Sequence, residues 1–367
     1  MAKKYQKVTL PRLEPPVTPV KQEDFYNVPT GTTSNLIMET LGAGENISDL
    51  PTRKQQVSHG TKLEVTEAGK LRQIQQNSEK SSITLELADI DKLTGNNKPA
   101  KKLFVLALIK ANEQAIFNGE LGRNYVSFPL QELVDNGFYS RLQSARKGFK
   151  DGMDALTSLK VKGRIQKSKK DVSTIDCLEL LFTGARIVRG QCTIFFNERI
   201  DWGFIAQYFT ILPRYYFALS NRASDLLYYI FYIARQHTRD IERRGYFTIG
   251  FRAIQSRLQL PGEIGNTDPQ RTIKKPIEDA IEELEIKHCE QYGNTEFGLL
   301  PVYDDNAPIA DYLDNGYLKI ELKGSFANMF IDISKDVTKQ IETAQKRNER
   351  IIERAIAINT AKQLEAK

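Results

Sequence analysis

Histidine and cysteine are scarce in this chain, with three of each in 367 residues. The histidines, His59, His237 and His288, are scattered, so the His-pair metal site needed for tyrosine-mediated DNA nicking cannot be assembled from neighbouring positions. The cysteines, Cys177, Cys192 and Cys289, fall in strand-like contexts without metal-ligand spacing, which suits a reducing cytoplasm. Long apolar runs are missing too. Leu103 to Ile109 and Leu226 to Ala234 are the longest, far short of the roughly 20 residues that span a bilayer, and the N-terminus MAKKYQKVTLPRLEPP has no apolar core of a signal peptide. No GxxxxGK[ST] phosphate cradle occurs, and GAGEN is a lone turn. These absences argue against a membrane protein, a metalloenzyme or a nucleotide-driven motor. The expectation is a non-enzymatic protein with no cofactor.

What is present is positive charge, unevenly placed. The chain carries a formal net charge of +6. Between Ser140 and Lys170, ten basic residues (Arg141, Arg146, Lys147, Lys150, Lys160, Lys162, Arg164, Lys167, Lys169, Lys170) face only Asp151 and Asp154. The local surplus therefore exceeds that of the whole molecule, and a polyanionic partner becomes the leading expectation.

Residues 1–80 hold six of the fourteen prolines and show no sustained periodicity, so they read as a disordered arm. From Ser81 regular structure begins. ITLEL reads as a strand, and KKLFVLALIKANEQAIF, apolar all round in its first half, as a buried helix. GRNYVSFPLQELVDN follows as a strand turning into a short helix. SRLQSARKGFKDGMDALTSLK is a helix lined on one face by Leu142, Ala145, Phe149, Met153 and Leu156, weakened by Gly148 and Gly152 at about 1 kcal/mol each. VKGRIQ, KSKKD and TIDCLELLF then read as strand, basic turn, strand.

The order recurs downstream. ALSNRASDLLYYIFYIARQH is a buried helix with Ser220 as N-cap, in which Tyr228, Tyr229 and Tyr232 are better read as core than as base-stacking platforms. RRGYFTIGFRAIQSRLQLP repeats the strand-to-helix step, aligning Tyr125 with Tyr246, Ser127 with Thr248, Phe128 with Ile249, Leu130 with Phe251 and Leu133 with Ile254. TDPQRTIKKPIEDAIEELE places Ile273, Ile277, Ala280, Ile281 and Leu284 on one face, and IKHCEQYGNTEFGLLPVY reads as strand, turn, strand. Helix, strand, helix, helix, two-stranded wing is the winged-helix plan, met twice. The expected fold is therefore α+β: a disordered arm (1–80), two tandem winged-helix domains (81–200 and 201–332) and a charged C-terminal helix (333–367).

Both third helices put cations first and acids last, which costs the helix about 0.3 to 1 kcal/mol per misplaced charge unless an anion docks at that end. DNA phosphate would do so. Arg141, Gln143, Arg146, Gln270 and Arg271 are the candidates for base edges, because arginine pairs bidentately with guanine and glutamine with adenine. Lys147, Lys150, Lys167, Lys169, Lys170, Lys274 and Lys275 would hold the backbone. Pro276 implies that the second helix kinks or starts late. A metal-dependent phosphodiesterase set of Asp304, Asp305, Glu321 and Lys323 is the best catalytic alternative, and an ordinary turn and strand explain those residues better.

Residues 218–285, with ALSNRASDLLYYIFYIARQH, FTIGFRAIQSRLQLPG and TIKKPIEDAIEELE in order, resemble the second winged-helix domain of theta-type plasmid replication initiators (Rep proteins); LFVLALIKANEQ resembles the first helix of their N-terminal domain. The resemblance implies an initiator of plasmid or mobile-element replication that binds double-stranded DNA at origin repeats. It also implies interconversion between homodimer and monomer, and recruitment of a host helicase or helicase loader. By position, residues 270–275 and 287–296 would be the second recognition helix and its wing. The arm, the segment 299–316 and Pro276 depart from the family pattern. A transcriptional regulator with duplicated winged helices and a phage replisome accessory protein are the alternatives.

Overall fold

The computed structural model describes residues 22–43, 56–58, 61–65, 71–78, 81–87, 99–114, 124–166, 172–200, 205, 208–263, 266–293, 296–324 and 326–332. The proposed charged helix 333–367 and the KSKKD turn, with Lys167, Lys169 and Lys170, lie outside them.

The N-terminal arm is the first departure from expectation. Phe25–Thr30 forms strand β1 and Thr32–Ala43 helix α1, with Leu36, Ile37, Met38 and Leu41 buried. Short strands β2 (Gln56–Ser58), β3 (Thr61–Val65) and β4 (Leu71–Ser78) follow, then β5 (Ser81–Leu87). Proline and polar content hid the strand in FYNVPT, which is buried at every position but Asn27, and the apolar spacing in NLIMETL. Folding is won here by tertiary pairing, since β1 is antiparallel to β11 (Tyr208–Pro213), about 180 residues away in sequence.

The first repeat runs through α2 (Ala100–Glu113), β6 (Tyr125–Pro129), α3 (Glu132–Asp135), α4 (Leu142–Leu156), β7 (Leu159–Gln166), β8 (Val172–Leu180), β9 (Phe182–Val188) and β10 (Gln191–Phe196). Helix α2 is buried from Ala100 to Ile109, as its unbroken apolar run requires. Gly152 lets it approach α4 closely: a Cβ there would stand 2.6 Å from Leu103 Cδ1 and 3.2 Å from Pro99 Cγ. Strands β6, β10 and β9 make a three-stranded sheet in that order. The β7–β8 hairpin forms as its sequence predicts, yet it is not part of that sheet. Its strands instead extend β2-β3-β4-β5 into a six-stranded sheet, so the hairpin beside α4 is β9–β10.

The second repeat comprises α5 (Asn221–Ala234), α6 (Thr238–Arg244), β12 (Tyr246–Gly250), α7 (Phe251–Arg257), α8 (Lys275–Tyr292), β13 (Phe297–Val302), α9 (Ile309–Asn315) and β14 (Tyr317–Leu322). Its sheet order β12-β14-β13 repeats β6-β10-β9. Equivalent positions bury alike: Val126 and Phe128 against Phe247 and Ile249, Leu133 against Ile254. Ser220 caps α5 by accepting from the Ala223 amide at 3.3 Å. Residues 286–292, expected as a strand, continue α8, because Leu284, His288 and Tyr292 recur every fourth residue and are all buried; Gly293, at φ 76°, ends the helix. Pro276 is accommodated by a π-helical segment, Gln270–Lys274, in which the Lys275 amide bonds to the Gln270 carbonyl five residues back. The wider turn absorbs the missing proline N–H.

The two repeats and the N-terminal segment share one core. At their junction Asp225 of α5 receives Lys101 Nζ of α2 (2.7 Å) and Arg257 Nε of α7 (2.9 Å), and Arg257 Nη1 reaches Asn35 Oδ1 of α1 (2.9 Å) and stands 3.7 Å from Glu39. Arg257 Nη2 stands 2.7 Å from Asp225 Oδ1, an ion-pair distance without hydrogen-bond alignment. Lys102 donates to the carbonyls of Phe217 and Leu219, and burial pushes its ammonium down to about 8 despite the opposing charge of Glu283.

Candidate nucleic-acid interface

Helix α4 divides cleanly into two faces. Ala145, Gly148, Phe149, Gly152, Met153 and Leu156 are buried, while Arg141, Gln143, Arg146, Lys147 and Lys150 project into solvent. None of these four cations makes an ion pair among the described residues. Arg141 occupies the N-cap position in extended conformation, and no side chain caps the helix. Exposed cations without partners attract a polyanion cheaply, since no existing bond must be broken to release them.

Beside α4 lies the β9–β10 hairpin, whose turn holds Arg189 (φ 49°) and Gly190 (φ 78°). The Gly190 carbonyl accepts from the Leu130 amide at 2.8 Å, pinning the turn to the end of β6. Arg186 lies with its guanidinium 5.2 Å from the Phe195 ring centroid. Arg186 and Arg189 fall outside the sequence-predicted set, although RIVRGQCTIFF carries the pattern of a strand, an Arg-Gly turn and a strand. Between α4 and this turn opens a cavity of about 340 Å³ lined by Pro129, Leu130, Gln131, Leu142, Gln143, Arg146 and Gly190. Leu142, expected on the buried face, is 48% exposed at its mouth.

The second candidate helix is organised differently. Gln270, Arg271 and Lys275 are exposed. Lys274 is not: its side chain is 14% exposed, pairs with Asp305 Oδ1 at 3.3 Å, and stands 4.8 Å over the Tyr303 ring and 5.5 Å over Tyr312. Its ammonium is therefore already engaged within the fold. Asp268 Oδ1 accepts from the Arg271 amide at 3.2 Å, so an acid already sits at the leading end. The late glutamates have partners too. Tyr303 Oη donates to Glu278 at 2.7 Å, and the Ser220 amide donates to Glu283 at 2.6 Å. Burial pushes the Glu285 carboxyl up to about 7, against a hydrogen bond from the Leu299 backbone. The reversed charge order of this helix thus has a tertiary explanation. The stretch 287–296, expected as the second wing, is helical as far as Tyr292, and β13 and β14 form the hairpin instead, with α9 in their connection.

Phe138 and Tyr139, just before α4, and Pro276 of α8 line a single cleft of about 730 Å³ with Lys102 and Arg222. Asp279 and Glu283 of α8 line the same cleft, and none of the candidate DNA-binding cations of α4 or α8 does.

The phosphodiesterase-like set is not assembled. Asp304 Oδ1 accepts from the Asn306 amide in a turn and Asp305 pairs with Lys274, whereas Glu321 pairs with Lys319 and Lys323. In the β13–β14 register Val302 faces Tyr317 and Gly298 faces Glu321, which puts about 13 Å of strand between the two groups. Tyr228, a stacking candidate, is fully buried, its hydroxyl 3.0 Å from Thr30 Oγ1. Among the described residues no group of three or more His, Cys, Asp or Glu side chains could hold a metal, and no helix is long and apolar enough to cross a membrane.

No family model and no curated protein matches the chain. Among solved structures, the crystal structure of RctB domains 2-3 (155–483) covers 71% of this chain and 93% of its own at 10% identity and a TM-score of 0.39. A selenomethionine derivative of RctB domains 2 and 3 covers 78% and 99% at 10% identity and a TM-score of 0.40. Likeness at this level carries no argument.

Proposed function

We propose that the chain is a tandem winged-helix protein that binds double-stranded DNA without catalysing a covalent step, and that it initiates replication of a plasmid or mobile element at origin repeats. One observation carries the DNA-binding reading: Arg141, Arg146, Lys147 and Lys150 stand exposed and without acid partners on one face of α4, beside the β9–β10 turn. In a winged helix those are the elements that enter the major groove and reach the backbone. The repeated sheet order β6-β10-β9 and β12-β14-β13, in each of which the first strand is followed by two helices, supports two such domains. The initiator role rests on the Rep-like sequence of residues 218–285, and with it come a host helicase or helicase loader and a homodimer as partners.

A gel-shift series with fragments of the DNA adjoining the gene tests the binding, with maintenance of a replicon lacking its own initiator as the second readout. Expected are specific shifts that Arg146→Ala weakens, and replicon maintenance that depends on the intact protein. Specific shifts without maintenance would point to a transcriptional regulator, and no shift at low ionic strength would end the DNA-binding reading.

A further inference from the structure

Helix α4 breaks its own pattern at its leading end. Leu142 shares the spacing of Ala145, Phe149, Met153 and Leu156, yet it is 48% exposed while those four are buried. It borders a 340 Å³ hollow whose other apolar walls are Pro129, Leu130 and Gly190. A leucine left half in water beside an unfilled apolar hollow marks a contact surface more than a fold contact. Arg146, which lines this hollow with Gln131 and Gln143, has no acid partner among the described residues, so the hollow is largely apolar within and carries an unpaired positive charge at its rim.

The second repeat fills the equivalent place with its own side chains. Phe251, the counterpart of Leu130, stacks on Tyr312 with ring centroids 4.6 Å apart and lies 5.8 Å from Tyr303. Lys274 closes over both tyrosines and is held there by Asp305. One repeat thus keeps an open apolar notch in its candidate reading surface, and the other has plugged it.

We propose that the notch receives the 5-methyl group of a thymine in the major groove, so that the first repeat discriminates a T·A pair there while the second grips the duplex without such a pocket. Thymine alone among the four bases presents a methyl group in that groove, and apolar side chains are what contact it. The cationic rim matches the phosphates that flank any such base. This inference rests on the duplex-binding reading above.

The test uses the full-length chain and a pool of random-sequence duplexes. Bound duplexes are selected and sequenced, and in the enriched duplex each thymine is replaced singly by deoxyuridine, which lacks only the methyl. The expected result is one position at which replacement weakens binding roughly fourfold, the ratio that burying one methyl group sustains. Leu142→Ala, a change at an exposed position, should bind the thymine and uracil duplexes alike while keeping the salt dependence of the unaltered protein. Tight binding that is indifferent to deoxyuridine at every position would overturn the inference and leave DNA binding standing. So would an unenriched pool, or a methyl preference that survives in Leu142→Ala. If the chain retains no duplex at all at low ionic strength, the DNA-binding reading falls and takes this inference with it.

Discussion

At the scale of single residues, two lysine- and arginine-bearing positions that look alike in sequence separate by their surroundings. Arg146 is exposed and unpaired, whereas Lys274 is roofed over two tyrosine rings and tied to Asp305. Arg146→Ala should weaken duplex binding by about 1 to 3 kcal/mol with the melting temperature unchanged. Lys274→Ala should do the opposite, losing about 1 kcal/mol of stability with little change in the salt dependence of binding. Titrations at several salt concentrations beside thermal melts separate the two. Gly148 supplies a second residue-level test. Replacing a mid-helix glycine by alanine ordinarily gains about 1 kcal/mol, but a Cβ here would stand 2.0 Å from the Tyr139 hydroxyl. Gly148→Ala should therefore destabilise, by about 1 to 3 kcal/mol, measured as a lower denaturant midpoint. The glycines of α4 are contact points: Gly148 seats Tyr139 and Gly152 seats Leu103.

At the scale of elements, α8 runs from an exposed start at Lys275 to an end whose Leu284, His288 and Tyr292 lie in the core. His288 sits in its last turns with Nδ1 3.2 Å from Tyr215 Oη, between the rings of Tyr292 and Phe297, and burial pushes its pKa down to about 3. The imidazole is neutral in the folded chain and protonates in the unfolded chain near pH 6.5. Its contribution to stability is thus complete above pH 6.5 and is lost as pH falls from there towards 3, at up to ~1.4 kcal/mol per pH unit. Glu285 works in the opposite sense: its carboxyl, raised to about 7, holds a proton that the unfolded chain gives up near pH 4.5, so its contribution declines as pH rises between those values. Comparing denaturant midpoints of the parent and His288→Phe from pH 4 to 7 isolates the histidine part. The expected outcome is a shallower acid-side fall in the variant; identical profiles would contradict the assignment.

At the scale of the whole molecule, one buried charge network ties the N-terminal segment and both repeats together. Among the described residues Asp225, 1% exposed, is the only carboxylate with which both Lys101 and Arg257 pair at hydrogen-bond distance. Asp225→Ala would leave Lys101 without a carboxylate and Arg257 with Glu39 alone among the described residues, and should cost about 3 to 5 kcal/mol, read as a large drop in melting temperature. A chain without residues 1–43 loses β1, α1 and the Asn35 and Glu39 contacts to Arg257. It should lose the cooperative melting transition of the full chain and expose the apolar faces that α1 covers.

The sequence by itself determined the elements whose chemistry is local and repeated. The apolar run of α2, the one-sided spacing of α4 from Ala145 onward and of α8 as far as Leu284, the Ser220 cap and the alignment of Tyr125–Leu133 with Tyr246–Ile254 are all legible in the sequence, and each appears where it was expected. The strongly basic face of α4 was legible for the same reason. Only the tertiary structure decided which hairpin stands beside α4, because β7–β8 and β9–β10 look equivalent as strand-turn-strand and differ solely in whether their partners are β5 or β6. It alone decided that residues 25–43 fold, since β1 finds its partner far along the chain. It also decided that Lys274 is withdrawn while Leu142 is left exposed, because a side chain's accessibility depends on what distant segments lay over it, and spacing along one helix carries no record of that.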